Sequence, residues 1–357
     1  RPEWNIVDMA VQQIGCVLVP IYPTISVEDY HFILSNCEAK CIFVDTESLL
    51  KKVKGVLVEL PEIKDVVMFS NLKSPEEFAE LAAAKSIIPF DELLQLGLGH
   101  PNPDTVQAIK DSIQTRDVAT MIYTSGTTGF PKGVMLTHYN VVNNGKSIGD
   151  RMGLSTADRM MIQVPMFHCF GMVLSMTSSM THGTTMCPMP YFSAKSSLAC
   201  INQERITCFN GVPTMFIAMF NHPDYPKTDF SYMRTGIMAG SGCPPELMRR
   251  AAREDEMHMT GIVSVYGQTE SAPGSTMSEW TDSLDVRCDT VGYHFPHVQC
   301  KIVDPETGLE VPDGVNGEFC SRGYNTMKGY YKMPVATAQT IDKDGWLHSG
   351  DLACRDK

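Results

Sequence analysis

The chain has 357 residues, 43% of them hydrophobic, and a formal net charge of −12. This length and apolar fraction favour a globular protein of about two or three domains with sizeable cores. The acidic balance argues against broad adhesion to nucleic acid or to an anionic membrane, so any phosphate that the chain binds must be held locally.

The cysteines and the chain ends also limit the class of protein. Twelve cysteines are scattered without a CxxC pair, which is typical of reduced, structural thiols in an intracellular protein. The sequence contains neither a secretory signal nor an apolar run of the roughly 18 residues that cross a bilayer. We therefore expect a cytoplasmic protein. Because the chain opens at Arg1 without a Met and closes at Lys357 just after an apolar stretch, we also expect a piece of a longer polypeptide.

The first 70 residues alternate between helical and strand patterns. Residues 6–14 have helical spacing, residues 16–21 form a short apolar strand candidate, and a capping box at 26–29 opens a helix that ends near Asn36. Residues 40–45 are the next predicted strand. Strand, helix and strand in succession predict a parallel sheet with crossover helices.

Residues 71–116 are more polar and contain four prolines after residue 74, which predicts a connecting excursion outside the core layers. The alternation then resumes, and strands are predicted near residues 118–123, 160–164, 206–209, 235–239 and 262–265. After residue 289 the pattern changes to short antiparallel strands at 298–303 and 317–321, joined through a turn at 304–308.

These patterns predict an α/β fold, with mostly parallel sheets and packed helices in αβαβα layers, followed by a small antiparallel β-barrel-like subdomain. The predicted boundary separates an α/β region over residues 1–288 from a β-rich subdomain over residues 289–357.

The stretch YTSGTTGFPKGV at residues 123–134 follows an apolar strand directly. Ligands of open parallel sheets bind at this end of a strand, and glycines let backbone N–H groups converge on an anion. The expected ligand is a polyphosphate. The alternative is that this is an ordinary polar loop that binds nothing. The P-loop of kinases is excluded, because Gly133 follows Lys132 where that motif needs Ser or Thr. The predicted phosphate-binding residues are Thr124, Ser125, Gly126, Thr127, Thr128, Gly129 and Lys132.

Five further stretches accompany this loop. They are PMFH at 165–168, AGSG at 239–242, YGQTE at 266–270, RGYNTMKGYYKMPVAT at 322–337 and GWLHSGD at 345–351. Together with the loop, they resemble the acyl-adenylate-forming (AMP-binding) superfamily, and in particular the large N-terminal domain of a medium- or long-chain fatty acyl-CoA synthetase. The resemblance covers nearly the whole chain.

The resemblance implies a role for each matched residue. Tyr266 would stack on adenine, Asp351 would accept from the ribose hydroxyls, and Glu270 with Thr124 would bind Mg²⁺. The implied catalytic residues are Thr124, Lys132, His168, Thr269 and Glu270. The other implied nucleotide contacts are Gly240, Ser241, Gly242, Gly267 and Gln268. The implied substrate pocket comprises His168, Phe170, Met172, Asn210, Val212, Pro213 and Val265.

Each of these residues also has an ordinary structural interpretation. A lone Tyr or a His between apolar neighbours is more often part of the core, a lone Glu is more often a solvated surface charge, and an Asp beside a Gly often caps a turn. Because no acidic residue occurs from Met160 to Met189, an amino-acid substrate is disfavoured.

The activity implied by the resemblance is ATP-dependent acyl-CoA synthesis. A carboxylic acid is activated as acyl-AMP with release of pyrophosphate, and the acyl group then passes to CoA. An aryl-CoA ligase of the coumarate type and a non-catalytic nucleotide-binding homologue are the alternatives. The family's smaller C-terminal domain, which carries a catalytic lysine, is expected to be absent because the chain ends shortly after Asp351. We therefore expect this chain alone to bind nucleotide weakly and to need that domain as a partner.

Overall fold

The fold is described from a computed structural model, which describes residues 1–124 and 129–356. Contacts divide the chain into two compact units. The large unit comprises Arg1–Trp4, Gln114–Ile122 and Val134–Lys357, and the small unit comprises Asn5–Ile113 and Tyr123–Gly133.

Helices and strands alternate along most of the described chain. The α-helices are α1 Pro2–Gln13, α2 Val27–Asn36, α3 Glu47–Glu59, α4 Ala79–Ala84, α5 Phe90–Gly99, α6 Pro103–Ser112, α7 His138–Met152, α8 Cys169–Gly171, α9 Ser178–His182, α10 Ala194–Glu204, α11 Pro213–Phe220, α12 Pro245–Ala252, α13 Leu284–Asp289 and α14 Pro334–Thr340. Short 3₁₀ helices occupy Pro75–Phe78, Tyr225–Lys227 and Thr269–Ser271, and a π-helix occupies Met172–Thr177.

The strands are β1 Cys41–Val44, β2 Asp65–Met68, β3 Ser86–Pro89, β4 Val118–Thr124, β5 Lys132–Thr137, β6 Arg159–Ile162, β7 Thr185–Pro188, β8 Cys208–Phe209, β9 Thr235–Met238, β10 Gly261–Gly267, β11 Gly274–Met277, β12 Tyr293–His294, β13 Val298–Val303, β14 Gly317–Gly323, β15 Gly329–Tyr330 and β16 Leu347–Ala353. None of the described helices is both long and apolar enough to cross a membrane.

The small unit contains a parallel sheet in the order β1-β2-β3. Helix α2 begins where the sequence predicts, because the Ser26 hydroxyl accepts from the backbone N–H of Asp29 at 3.0 Å. Helix α3 buries Leu50, Val53 and Leu57 in the hydrophobic core of this unit. The predicted succession of strand, helix and parallel strand is confirmed.

Two sequence predictions for this unit are wrong. Residues 16–21 form no regular strand and contain a single β-bridge residue, Leu18. Residues 71–116 are not an excursion outside the core, since β3 pairs with β2 along its whole length and Leu81 is fully buried. Pro89 misled the prediction, because it occupies the last position of an edge strand, where a missing N–H is tolerated.

The main sheet of the large unit has the order β12-β11-β10-β9-β8-β6-β7. The strands from β7 to β10 are parallel, and β11 and β12 add antiparallel pairs at one edge. All the strands that the sequence predicts between residues 160 and 265 are present in it. The α/β class with mostly parallel sheets is therefore confirmed.

Two smaller sheets lie wholly or mostly in the large unit. Strands β13, β14 and β16 form an antiparallel sheet, and β15, β5 and β4 form another. The predicted strands at 298–303 and 317–321 are β13 and β14. The domain boundary at residue 289 stays a prediction.

A buried carboxylate ties together the amino ends of three parallel strands. Asp158, directly before β6, is 2% exposed and accepts from the Thr207 hydroxyl before β8 and from the Arg234 guanidinium before β9, both at 2.8 Å. Its second oxygen accepts from the backbone N–H of Ser155 at 2.9 Å. This network fixes how β6, β8 and β9 align, and therefore where their carboxyl ends lie.

We expect Asp158→Asn to lower the free energy of unfolding by about 3 kcal/mol at neutral pH, because it leaves Arg234 facing a neutral amide. Urea-induced unfolding followed by circular dichroism measures the change. The matched control is Asp150→Asn, whose carboxylate is 55% exposed beside Lys146 and whose loss should cost less than about 1 kcal/mol.

The pH dependence of this difference provides a second check. Burial by itself would raise the pKa of Asp158, but the hydrogen bonds from Arg234 and Thr207 bring it below the ordinary value. A depressed carboxyl pKa stabilises the fold above the unfolded-state value of about 3.9 and loses that effect as pH falls through the folded-state value. The difference in the free energy of unfolding between wild type and Asp158→Asn should therefore become smaller in acid. A difference that stays constant with pH would contradict a stabilising role for the ionised Asp158 carboxylate.

Candidate functional site

The predicted phosphate loop joins β4 to β5, which are neighbours in one sheet. Thr124 ends β4 and Lys132 begins β5, and both side chains are half-buried. Gly129 has a φ of +125°, a conformation that a side chain would strain. Ser125, Gly126, Thr127 and Thr128 lie outside the described residues, so their role stays a prediction.

Two predicted nucleotide contacts of the large unit meet at the end of β10. The Tyr266 hydroxyl donates to Oδ2 of Asp351 on β16 at 2.8 Å, across 85 residues of sequence. The Tyr266 ring packs edge-on against Phe319, with 5.0 Å between ring centroids. Burial and the neighbouring Asp351 carboxylate raise the pKa of Tyr266 above its ordinary value. The phenol is therefore a hydrogen-bond donor at neutral pH, and it orients Asp351.

The chain turns sharply after Tyr266. The register of β10 against β11 shifts between Tyr266 and Gly267. A Cβ atom on Gly267 would lie 1.8 Å from the carbonyl oxygen of Pro273, so no other residue fits here. The next residue, Gln268, receives a hydrogen bond from the Ser271 hydroxyl to its carbonyl at 3.0 Å. This turn presents the 3₁₀ helix Thr269–Ser271 at the carboxyl end of β10.

Glu270 is half-buried and is held at two points. Its Oε1 accepts from the Tyr330 hydroxyl at 2.8 Å, and its backbone oxygen accepts from the N–H of Met327 at 2.8 Å. Burial, and next the charge of Glu270, raises the pKa of Tyr330, so this hydroxyl keeps its proton. No other donor to the Glu270 carboxylate occurs among the described residues, and an oxygen of this kind suits a hard divalent cation.

Tyr330 is a site residue that sequence reasoning missed. It lies within the stretch at 322–337 that supports the family resemblance, but the spacing of 60 residues from Glu270 gives no sign that the two side chains meet. The contact depends on β15 pairing with β5, a long-range pairing that local patterns do not encode.

His168 caps the amino end of α8. The next residue, Cys169, contacts Thr269. The Nδ1 atom of His168 accepts from the backbone N–H of Phe170 at 3.0 Å, at the start of α8. Burial lowers the pKa of His168, so the neutral ring, with Nδ1 unprotonated, is the form that caps. The Cys169 sulfur lies 3.8 Å from the Thr269 hydroxyl and is fully buried.

Two predicted pocket residues, Phe170 and Val212, lie beside Gly240, which the sequence predicts as a nucleotide contact. Gly240 follows β9 with a φ of +87°, and a Cβ there would lie 3.0 Å from Cγ1 of Val212 and 3.7 Å from Cε1 of Phe170. Ser241 and Gly242 are exposed, and nothing described lies within 4 Å of a Cβ placed on Gly242. The backbone after β9 is therefore open to a flat ligand and is bordered by apolar side chains.

The other predicted pocket residues have different surroundings. Met172 and Pro213 are buried, and Val265 is half-buried on β10. Asn210 is fully buried, and its amide donates to Leu174 O and Ser175 Oγ at 3.0 Å while its oxygen accepts from the N–H of Ile237. Asn210 thus joins β8 to the π-helix and to β9, and all three bonds stay within the protein.

Gln163 is a second residue of interest that no sequence motif marks as functional. It follows β6, is 3% exposed, and its Oε1 accepts from the Ser197 hydroxyl at 2.8 Å. Its Nε2 has no hydrogen-bond partner among the described residues. A Cβ on Gly211 would lie 3.5 Å from that nitrogen. A buried donor of this kind needs a partner, and the carboxyl end of a parallel strand is where ligands of such sheets bind.

The AMP-binding enzyme family matches residues 1–331 of the chain. The chain belongs to the AMP-binding enzymes. YngI of Bacillus subtilis (strain 168) is 40% identical over 369 residues, a match that covers 99% of this chain and 65% of that protein. The rat mitochondrial medium-chain acyl-CoA ligase ACSF2 is 33% identical over 366 residues and is matched over 59% of its length. The chain thus spans about three fifths of the length of these curated relatives.

A solved structure agrees with the fold. The long-chain-fatty-acid-CoA ligase FadD1 from Archaeoglobus fulgidus superposes with a TM-score of 0.77 at 24% identity, over 100% of this chain and 68% of that one. At this identity the likeness shows the fold alone. The predicted membership of the AMP-binding superfamily is confirmed.

Thiol labelling tests the packing of this candidate site. Burial raises the pKa of Cys169 to about 12, so we expect it to resist iodoacetamide in native protein while the exposed Cys16 and Cys354 are alkylated. Peptide mass spectrometry measures each site. In urea all three thiols should react alike, and native labelling of Cys169 at the rate of Cys16 would contradict the described packing.

Proposed function

We propose that this chain carries the acid-activating site of an AMP-forming acyl-CoA ligase, with a fatty acid as the acid. A carboxylate oxygen attacks the α-phosphorus of ATP, pyrophosphate leaves, and an acyl-adenylate forms. The CoA sulfur, having lost its proton, then attacks the acyl carbon, and AMP leaves. The observation that carries the proposal is the pair of hydrogen bonds, Tyr266 to Asp351 and Tyr330 to Glu270, on the AMP-binding motifs at one strand end.

Tyr266 and Asp351 would bind the adenosine. Phe319 holds the Tyr266 ring at 5.0 Å, and an aromatic face contributes about 0.5–1.5 kcal/mol beyond area burial when it stacks on a flat base. The Asp351 carboxylate is exposed, so it can accept from ribose hydroxyls. Its bond to Tyr266 limits its rotamers before the nucleotide arrives, which lowers the entropy cost of binding.

Glu270 would hold Mg²⁺. Its carboxylate fits this ion because it is half-buried, is oriented through a single phenol hydrogen bond, and has an oxygen without a protein donor among the described residues. When bound, the ion neutralises phosphate charge. Tyr330 keeps the carboxylate oriented, and the Met327 N–H fixes the backbone that carries it.

The acid would bind against apolar side chains. Phe170 and Val212 border the open backbone at Gly240, and apolar walls of this kind suit an alkyl or aryl group. The rat relative's name supports a medium-chain fatty acid, and the stretch without acidic residues from Met160 to Met189 opposes an amino acid. The neutral, capping form of His168 supports a positioning role for that side chain.

We expect Glu270→Gln to reduce acid-dependent AMP release by about a hundredfold, because the carboxylate charge that holds Mg²⁺ is lost while the shape remains. Enzymatic measurement of AMP and pyrophosphate provides the rates. Glu246→Gln is the matched control, since the Glu246 carboxylate is 93% exposed and should leave the rate unchanged. Equal activity of Glu270→Gln and wild type would overturn the role of Glu270.

Tyr330→Phe should raise the Mg²⁺ concentration needed for half-maximal activity by about tenfold, with a smaller change in kcat. The reason is the lost hydrogen bond to a charged acceptor, which contributes about 1.5–3 kcal/mol. Rates measured across a Mg²⁺ series at saturating ATP separate the two parameters. A fall in kcat at unchanged Mg²⁺ dependence would assign Tyr330 to another step.

A panel of acids defines the substrate class, and it should be run on the 357-residue chain and on a polypeptide extended to the length of its curated relatives. We expect weak adenylation by the chain alone and full activity of the extended form with fatty acids. Faster turnover of cinnamate-type acids would favour an aryl-CoA ligase, and ATP binding without AMP release from any acid would favour a non-catalytic homologue. Cytoplasmic location stays a prediction, which fluorescence microscopy of a tagged protein can check.

A further inference from the structure

A second group of polar side chains lies on the sheet β13-β14-β16, apart from the residues assigned above. Glu318 and Cys320 are two positions apart on β14, on either side of an irregularity in its pairing with β16. His348 on β16 pairs directly with Cys320 across the two strands. One ligand atom from each of Glu318, Cys320 and His348 lies within 4.8 Å of the others.

The distances within this cluster are close to those of a metal site. Nδ1 of His348 is 2.8 Å from Oε2 of Glu318 and 3.5 Å from Sγ of Cys320. Ligands held tetrahedrally by zinc at about 2.0–2.3 Å lie roughly 3.3–3.6 Å from one another. The sulfur and nitrogen atoms already have this separation, and the nitrogen and oxygen atoms need to move apart by roughly 0.5 Å.

We propose that Glu318, Cys320 and His348 form a binding site for Zn²⁺, with solvent as the fourth ligand. The donor set of sulfur, nitrogen and oxygen suits a borderline ion and not Mg²⁺, which prefers oxygen alone. Cys320 is fully buried, whereas Glu318 and His348 are 19% and 30% exposed, so an ion can enter from their side. Binding forms Zn–O, Zn–N and Zn–S bonds, and the thiol proton passes to solvent.

The surroundings already orient two of the three ligands. The other carboxylate oxygen of Glu318 accepts from the backbone N–H of Gly350 at 3.0 Å, so Oε2 alone faces the cluster. The far ring nitrogen of His348 lies 3.6 Å from Oδ2 of Asp342, so a small movement would give the hydrogen-bonded carboxylate and histidine pair that supports zinc in many sites. On the other side of β14, Lys301 of β13 is the backbone partner of Cys320. Its ammonium lies 4.3 Å from the centroid of the Trp346 ring.

The site is independent of the proposed function, so its test uses no ATP. Co²⁺ is the spectroscopic probe, added to the reduced chain and then displaced by Zn²⁺. We expect one Co²⁺ per chain, with tetrahedral visible bands and a sulfur-to-cobalt charge-transfer band in the near ultraviolet. Cys320→Ser should abolish that band, while Cys300→Ser, a half-buried thiol on the neighbouring strand, should retain it.

Asp342→Asn tests the outer contact. It keeps the Oδ1 that accepts from the N–H of Trp346 at 2.9 Å, and it should weaken Zn²⁺ binding about tenfold in competition with a chromogenic chelator. Thermal unfolding without metal verifies that each variant folds. If a variant does not fold, Glu318→Gln takes its place and should weaken Zn²⁺ binding in the same competition. Absence of the charge-transfer band in wild type, or its persistence in Cys320→Ser, overturns the proposal.

Discussion

The buried carboxylate of Asp158 sets the alignment on which the site depends. It joins the amino ends of β6, β8 and β9, and the parallel pairing of β8 with β6 and with β9 carries this alignment toward their carboxyl ends. Their carboxyl ends supply Gln163, Asn210 and Gly240 to one edge of the sheet. Strand β10, paired in register with β9 from Gly261 onward, adds Tyr266. A charge buried at the amino ends of the strands therefore determines which backbone and side-chain groups lie together at their carboxyl ends.

Local signals in the sequence predicted much of this fold. The hydroxyl of Ser26 and the acidic first turn after it identified the start of α2, and short apolar runs between helices identified the parallel strands. The loop after β4 was recognised from its glycines, and Gly129 adopts the positive φ that such a loop needs. These features depend on residues that are near one another in the chain, so a single sequence contains the information.

The predictions that failed or were missed depend on distant pairings. Pro89 looked like a breaker, and only the position of β3 at the edge of a sheet makes it acceptable. The partners Tyr330 for Glu270 and Asp351 for Tyr266 are set by the long-range pairing of β15 and by the contacts of β16. The place of Asn210 in the pocket stays a prediction, and its hydrogen bonds to Leu174 and Ile237 were not foreseen from the sequence. Composition and spacing cannot determine which strands become neighbours, and the neighbours determine these contacts.

The order in which the site obtains its parts follows from the contacts of β10. Glu270 and Tyr266 find their partners 60 and 85 residues later in the chain. During synthesis on the ribosome, the parallel strands can pair while those partners are still untranslated, since domains fold from the N-terminal side as they emerge. Until β15 and β16 have left the exit tunnel, the nascent chain has most strands of its main sheet. The Glu270 carboxylate and the Tyr266 hydroxyl then still lack the partners that orient them. The site is therefore completed only after the strands of the main sheet have been synthesised.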